Sequence, residues 1–277
     1  MLIRHKLLTN TAVTGSALIA LVLVALFGTN AIHHGSEQLI AMDRLNRNLA
    51  ETLRTSAAFS EFKDAEAGAA FEQQHAQLGQ DLQQLQALAK DDELQQRLKQ
   101  LQPALVGFGE SFARYRQLAE RVGLTPDSGL YGTLRQSVHG IEKAVYAQQD
   151  YRTAAALLQL RRHEKDFMLR LDKKYLAHFE QGLEELASAI DTSSAYDEAA
   201  KQQLKQLAAS YQRDFNGVVA GTEEMGFDHH SGLRGATTAA AEQLAQDLNH
   251  ASEAVAAAVE NTRDQTVRMV ILLATIV

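Results

Sequence analysis

The chain has 277 residues, no cysteine, only two prolines and a formal charge of −7. Without cysteine there is no disulfide framework and no thiolate metal site, and the acidic balance excludes nucleic acid as an expected partner. Few prolines among abundant Ala, Leu, Gln and Glu point to long uninterrupted helices.

The leader, residues 1–10, carries Arg4 and Lys6 ahead of an uncharged apolar run at 11–32 (TAVTGSALIALVLVALFGTNAI). About 20 apolar residues cross a bilayer as a helix, so this run predicts a transmembrane helix. The positive-inside bias places the N-terminus in the cytoplasm and the following residues outside. A cleaved signal peptide is the rival reading, with Thr29-Asn30-Ala31 as a loose cleavage site. The length of the run favours an anchor, and so does a second apolar segment, MVILLATIV from Met269. Residues 268–277 are therefore expected to begin a second span. Setting aside Arg4, Lys6 and Arg268 leaves 24 of the 27 basic residues against 34 acidic ones, a charge of −10 for the part between. An anion there must be held by a local cluster of bases.

Between the apolar runs the expectation is all-α. Leu39, Met42, Leu49 and Leu53 form one stripe at helical spacing; Phe167, Leu171, Tyr175, Phe179, Leu183, Leu186 and Ile190 form another. Breaks are expected at Lys90-Asp91-Asp92, Gly123–Gly129, Asp191–Ser194 and Gly226–Gly232, with Asp127 or Ser128 capping the helix after the second. This gives six helices at about 34–90, 92–122, 128–147, 150–190, 195–224 and 230–267. The two glycine loops, GLTPDSGLYG (123–132) and GFDHHSGLRG (226–235), match at fixed offsets, each with a Phe eleven residues upstream, Phe112 and Phe215. Arg54 and Phe59 precede Phe71 at the distances by which Arg162 and Phe167 precede Phe179. The pattern reads as a duplicated three-helix unit, about 36–147 and 150–267. At about 1.5 Å rise per residue, the six lengths close as two stacked four-helix bundles flanked by transmembrane helices. The membrane-distal bundle would take 61–165; the membrane-proximal one would take 33–60 and 166–267.

This layout resembles the helical bimodular sensor domain of bacterial chemoreceptors and some sensor kinases. The resemblance covers about 33–267, and LLQLRRHEKDFMLRLDKKY (157–175) is similar to that family's best-marked segment. It implies two bundles, each able to bind a small metabolite, often an organic acid, and a parallel homodimer. It carries over no set of ligand contacts.

The run Arg161-Arg162-His163-Glu164-Lys165-Asp166 holds the strongest candidates. Helical phase puts Glu164 in the core stripe, where a carboxylate needs a partner. Two readings stand side by side: a structural ion pair with Arg161 or a dimer contact, and a pocket in which Arg162 or Arg161 clamps a carboxylate. Arg162 falls about 54 Å along the rod, level with Arg114, Tyr115, Arg116, Gln136 and His139. Arg54, the repeat mate of Arg162, falls about 32 Å along, level with Lys174, His178, Tyr211, Arg213 and His250, where a second site is conceivable. His33-His34 and Asp228-His229-His230 are adjacent pairs, not the i, i+4 spacing that sets two metal ligands on one helix face, so no metal is expected. Ser128 and Ser231 read as helix caps. No nucleophile motif, phosphate loop or catalytic carboxylate pair is present, and neither an enzyme nor a cofactor is expected. The expected function is the periplasmic sensor of a chemotaxis receptor in the bacterial inner membrane, taking a small anion. The alternatives are the sensor of a histidine kinase or cyclic-dinucleotide enzyme, or a bundle that docks a periplasmic binding protein.

Overall fold

The computed structural model describes the backbone of residues 2–276 and the side chains of residues 14–16 and 18–272. The described residues form eight α-helices and no strand: α1 Leu2–Phe62, α2 Ala65–Leu88, α3 Asp92–Val122, α4 Gly129–Tyr146, α5 Tyr151–Arg170, α6 Lys174–Thr192, α7 Glu198–Met225 and α8 Gly232–Ile276. The all-α expectation holds, and helices end at the four expected breaks. Asp91 accepts a hydrogen bond from the Leu94 amide (2.9 Å) at the start of α3. The apolar run lies in α1, whose Thr14–Phe62 stretch holds an 18-residue window of mean hydropathy 2.0 that is 6% buried. Among the described residues it is the one helix long and apolar enough to cross a membrane. Its Leu18, Leu23 and Phe27 side chains are all exposed. The side chains beyond Leu272, and with them the end of the second apolar run, lie outside the described residues.

Two expected long helices are broken. The helix read as 34–90 reverses at Lys63-Asp64, and the one read as 150–190 reverses at Leu171–Lys173. Neither break carries Gly or Pro, which is why composition did not show them. Each is made instead by a side-chain-bearing residue in the left-handed region: Lys63 and Leu171, both at φ 52°. Such a residue costs about 1 kcal/mol and persists because the reversal lets two apolar stripes bury each other. Phe59 and Phe71 flank the first break, Phe167 and Phe179 the second, and all four are buried. The level arithmetic along a rod therefore loses its basis.

The chain divides into two compact units. One compact unit comprises Met1–Glu61, Glu66–Glu110 and Ala240–Val277, the other Phe62–Ala65 and Ser111–Ala239. In the first unit α1 and α2 run antiparallel: Gln38 donates to the Leu88 carbonyl (2.8 Å) and Asn48 to Asp81 (2.6 Å). α2 and α3 also run antiparallel, Gln86 donating to the Leu98 carbonyl (3.1 Å) and His75 Nε2 meeting that of Leu105 (2.8 Å). α8 returns along α1, with Val259 against Gly35 and Thr266 against Gly28. In the second unit α4, α5, α6 and α7 form a bundle-like ring of antiparallel neighbours. Ser137 on α4 bonds Asp214 on α7, Arg161 on α5 bonds Glu142 on α4, and Gly182 on α6 meets Leu160 on α5. Phe179 on α6 stacks on Phe215 of α7 at 4.0 Å between ring centroids, and Phe167 meets Phe215 edge-on at 5.6 Å.

The internal repeat is visible in the backbone. Lys63 and Leu171 stand at the same offset as Arg54 and Arg162. Gly123 and Gly129 are at φ 125° and 56°, their mates Gly226 and Gly232 at 96° and 59°. Each loop closes the same way, the Thr125 amide donating to Ser128 Oγ (3.0 Å) and the Asp228 amide to Ser231 Oγ (3.2 Å). Ser128 occupies the N-cap position of α4, but its hydroxyl bonds back into the loop instead of capping the helix.

At the second reversal the Asp172 carboxylate accepts from the Lys174 amide (3.0 Å), and Lys173 has φ −59°, the dihedral of a first helical residue. Proline suits that position. Lys173→Pro is expected to change unfolding free energy by less than about 1 kcal/mol in urea titration, whereas a helix continuous through 173 would lose about 3 kcal/mol.

Candidate functional site

A cavity of about 500 Å³ opens inside the second unit. Its floor and sides come from the 123–126 loop, α4 and α5, and Lys63 enters from the α1–α2 reversal, which belongs to the same unit. Leu124, Pro126, Leu134, Val138 and Met168 make much of the wall apolar. Four cationic side chains line it: Lys63, Arg135, Arg161 and Lys165.

Three of these cations have carboxylates. Arg135 pairs with Asp127 (3.1 Å), Lys165 with Glu164 (2.6 Å), and Arg161 with Glu142, which also meets His139 (3.1 Å). Lys63 makes no ion pair among the described residues. Its ammonium lies 5.4 Å from the centre of the Tyr131 ring. Burial first, and the positive charge of Arg234 second, hold it below the usual lysine pKa. Burial likewise raises the Tyr131 phenol, with a hydrogen bond to Thr222 partly offsetting it. Arg161 contributes a second unsatisfied group, because its Nε is buried and has no hydrogen-bond partner. An ammonium without a counter-ion on a cavity wall favours an anion.

Glu164, also in the lining, is 1% exposed and accepts a hydrogen bond from Tyr211 (2.5 Å) as well as the Lys165 pair. The expected Arg161–Glu164 pair is not formed, since Arg161 turns to Glu142 on α4 instead. Burial, and then the charge of Glu164, push the Tyr211 phenol above its ordinary pKa, so it stays a proton donor. In the repeat the mates of Glu164 and Tyr211 are Ser56 and Phe108, both buried. The acid and the phenol that satisfies it are thus present together in one copy and missing together from the other.

Of the residues proposed from sequence, Arg161 and His139 line this cavity, and Arg162, Arg114, Tyr115, Arg116 and Arg54 do not. Arg162 is exposed and borders a smaller cleft of about 260 Å³ on the α5–α6 hairpin, with His163, Tyr175, His178 and Glu185. Arg114 and Arg54 are exposed. Arg116 pairs with Glu120 (2.8 Å), and Tyr115 is buried, its hydroxyl 3.3 Å from Arg234 Nε. Lys63, Tyr131, Arg135 and Lys165 were missed. The repeat carried a signal for the first two: Lys63 stands where the other copy has Leu171, and Tyr131 where it has Arg234. Among the described residues no three His, Asp or Glu side chains are grouped to hold a metal ion. No model of a known protein family, no curated protein and no solved structure matches this chain.

Tyr211→Phe leaves Glu164 with one partner fewer, and a loss of about 1–3 kcal/mol is expected in urea unfolding. The double variant Glu164→Ser/Tyr211→Phe, which copies the other repeat, is expected to lose less than the sum of its two single changes; strict additivity would mean the two groups are not coupled. Lys63 gives a pH signature. Its folded pKa lies below the 10.5 of a free lysine, so between those values the unfolded chain binds more protons. Stability of the ligand-free chain is therefore expected to rise with pH on the approach to 10.5 and to be flatter in Lys63→Gln, as read by urea midpoints over that range.

Proposed function

We propose that this chain is the sensory part of a bacterial transmembrane receptor and that the cavity of the second unit takes a small organic anion. The observation that carries this reading is the Lys63 side chain on the cavity wall, a cation with no ion pair among the described residues. The apolar run in α1 supports a membrane anchor, and the resemblance of 33–267 to helical bimodular sensors supports a periplasmic domain, a homodimer and a chemotaxis output. The chain binds rather than transforms its ligand. A histidine kinase or a cyclic-dinucleotide enzyme as output, and a periplasmic binding protein as partner, remain the rival assignments.

The proposed signal is mechanical. α1 continues without interruption from the apolar run to Phe62, and the next residue is Lys63. An anion held by that ammonium acts on the end of the same helix that crosses the membrane. The ligand shifts the equilibrium between two packings only by its difference in affinity for them, and a tenfold shift needs about 1.4 kcal/mol. Isothermal calorimetry of the full chain in lipid nanodiscs against organic acids, amino acids and inorganic phosphate tests the reading. Saturable binding of an organic acid, lost in Lys63→Gln, is expected. Silence across the panel, with binding once a periplasmic extract is supplied, would transfer the assignment to a docked protein.

A further inference from the structure

The cavity's charges can be counted against one another. Arg135, Arg161 and Lys165 each already face a carboxylate, Asp127, Glu142 and Glu164 respectively, and Lys63 alone does not. Arg234 adds to the positive field at Lys63 but is outside the lining and is engaged with the Tyr115 hydroxyl and ring. The wall therefore offers one uncompensated positive charge. The apolar part of the lining is Leu124, Pro126, Leu134, Val138 and Met168. A volume of about 500 Å³ falls within the size range of pockets that enclose a small organic ligand, far more than a carboxylate head alone would fill.

We infer that the ligand is a singly charged carboxylate with an apolar body: its head accepts from Lys63, and its body lies against Met168, Val138 and Leu134. This deepens the anion-sensor reading and rests on it. A second carboxylate on the same ligand would find no further unpaired Lys or Arg in the lining, because Arg135, Arg161 and Lys165 already face carboxylates, and a charge set against the apolar wall or Glu164 is strongly disfavoured. A neutral analogue would leave the Lys63 ammonium without its counter-ion.

The test uses the full chain in lipid nanodiscs, with empty nanodiscs as the blank, and compares butanoate, pentanoate, hexanoate, hexanamide and adipate by calorimetry. Affinity is expected to rise about threefold to fourfold per methylene from butanoate to hexanoate. Hexanamide is expected to bind at least about tenfold more weakly than hexanoate, and adipate more weakly than hexanoate. Lys63→Asn, which tolerates the left-handed backbone, should lose the preference of hexanoate over hexanamide, and Lys63→Arg should keep it. A flat length series, adipate binding more tightly than hexanoate, or an unchanged preference in Lys63→Asn would overturn the inference while leaving an anion sensor in place. Absence of binding by every organic acid, these and the wider panel alike, would instead remove the sensor reading itself.

Discussion

The reversal of α1 at a left-handed lysine is the constraint from which both the fold and the site follow. Had the helix continued past Phe62, its apolar stripe would have run on without an antiparallel partner from α2. By turning at Lys63 the chain buries Phe59 and Phe71 and starts a hairpin whose inner face holds Leu78, Leu82 and Leu85. The same backbone conformation aims a charged residue, not an apolar one, at the second unit's cavity. Where the duplicated copy reverses at Leu171 the geometry is retained and the charge is absent.

The polar groups in the two units follow one rule. Each buried acid brings its own donors. Asp81 receives Asn48 (2.6 Å) and Gln77 (3.0 Å), Asp214 receives Ser137, and Glu164 receives Tyr211 and Lys165. These interactions tie neighbouring helices in a fixed register, because slipping a helix by one turn would strand a carboxylate in an apolar layer at a cost of several kcal/mol. At the cavity one cation, Lys63, has no such partner, and it sits where a ligand has room.

Divergence of the repeats locates the site. The hairpin breaks, the glycine loops and the six phenylalanines at matched offsets keep the common scaffold. The pairs Lys63/Leu171, Tyr131/Arg234, Glu164/Ser56 and Tyr211/Phe108 are where the copies differ in charge or hydrogen bonding. Lys63, Tyr131 and Glu164 line the cavity, and Tyr211 holds Glu164 in place from behind. Each copy supplies two of these four groups, Lys63 and Tyr131 from the first and Glu164 and Tyr211 from the second.

Fold class, the apolar run, four of the chain breaks and the duplicated design were legible in the amino-acid order, because helical periodicity, Gly-rich loops and charge-free runs are local properties of a chain. So was Glu164 as a core residue in need of a partner. The reversals at Lys63 and Leu171 were not, since neither residue type marks a turn; they exist because two distant stripes bury more surface folded back than extended. The partners of Glu164 and Arg161 were likewise decided in three dimensions, by which helix lies next to which. Arg161 was therefore drawn into the cavity and Arg162, one residue and about 100° further around α5, was turned away from it. Tertiary structure chose among the charged residues because only packing determines which of them lose water.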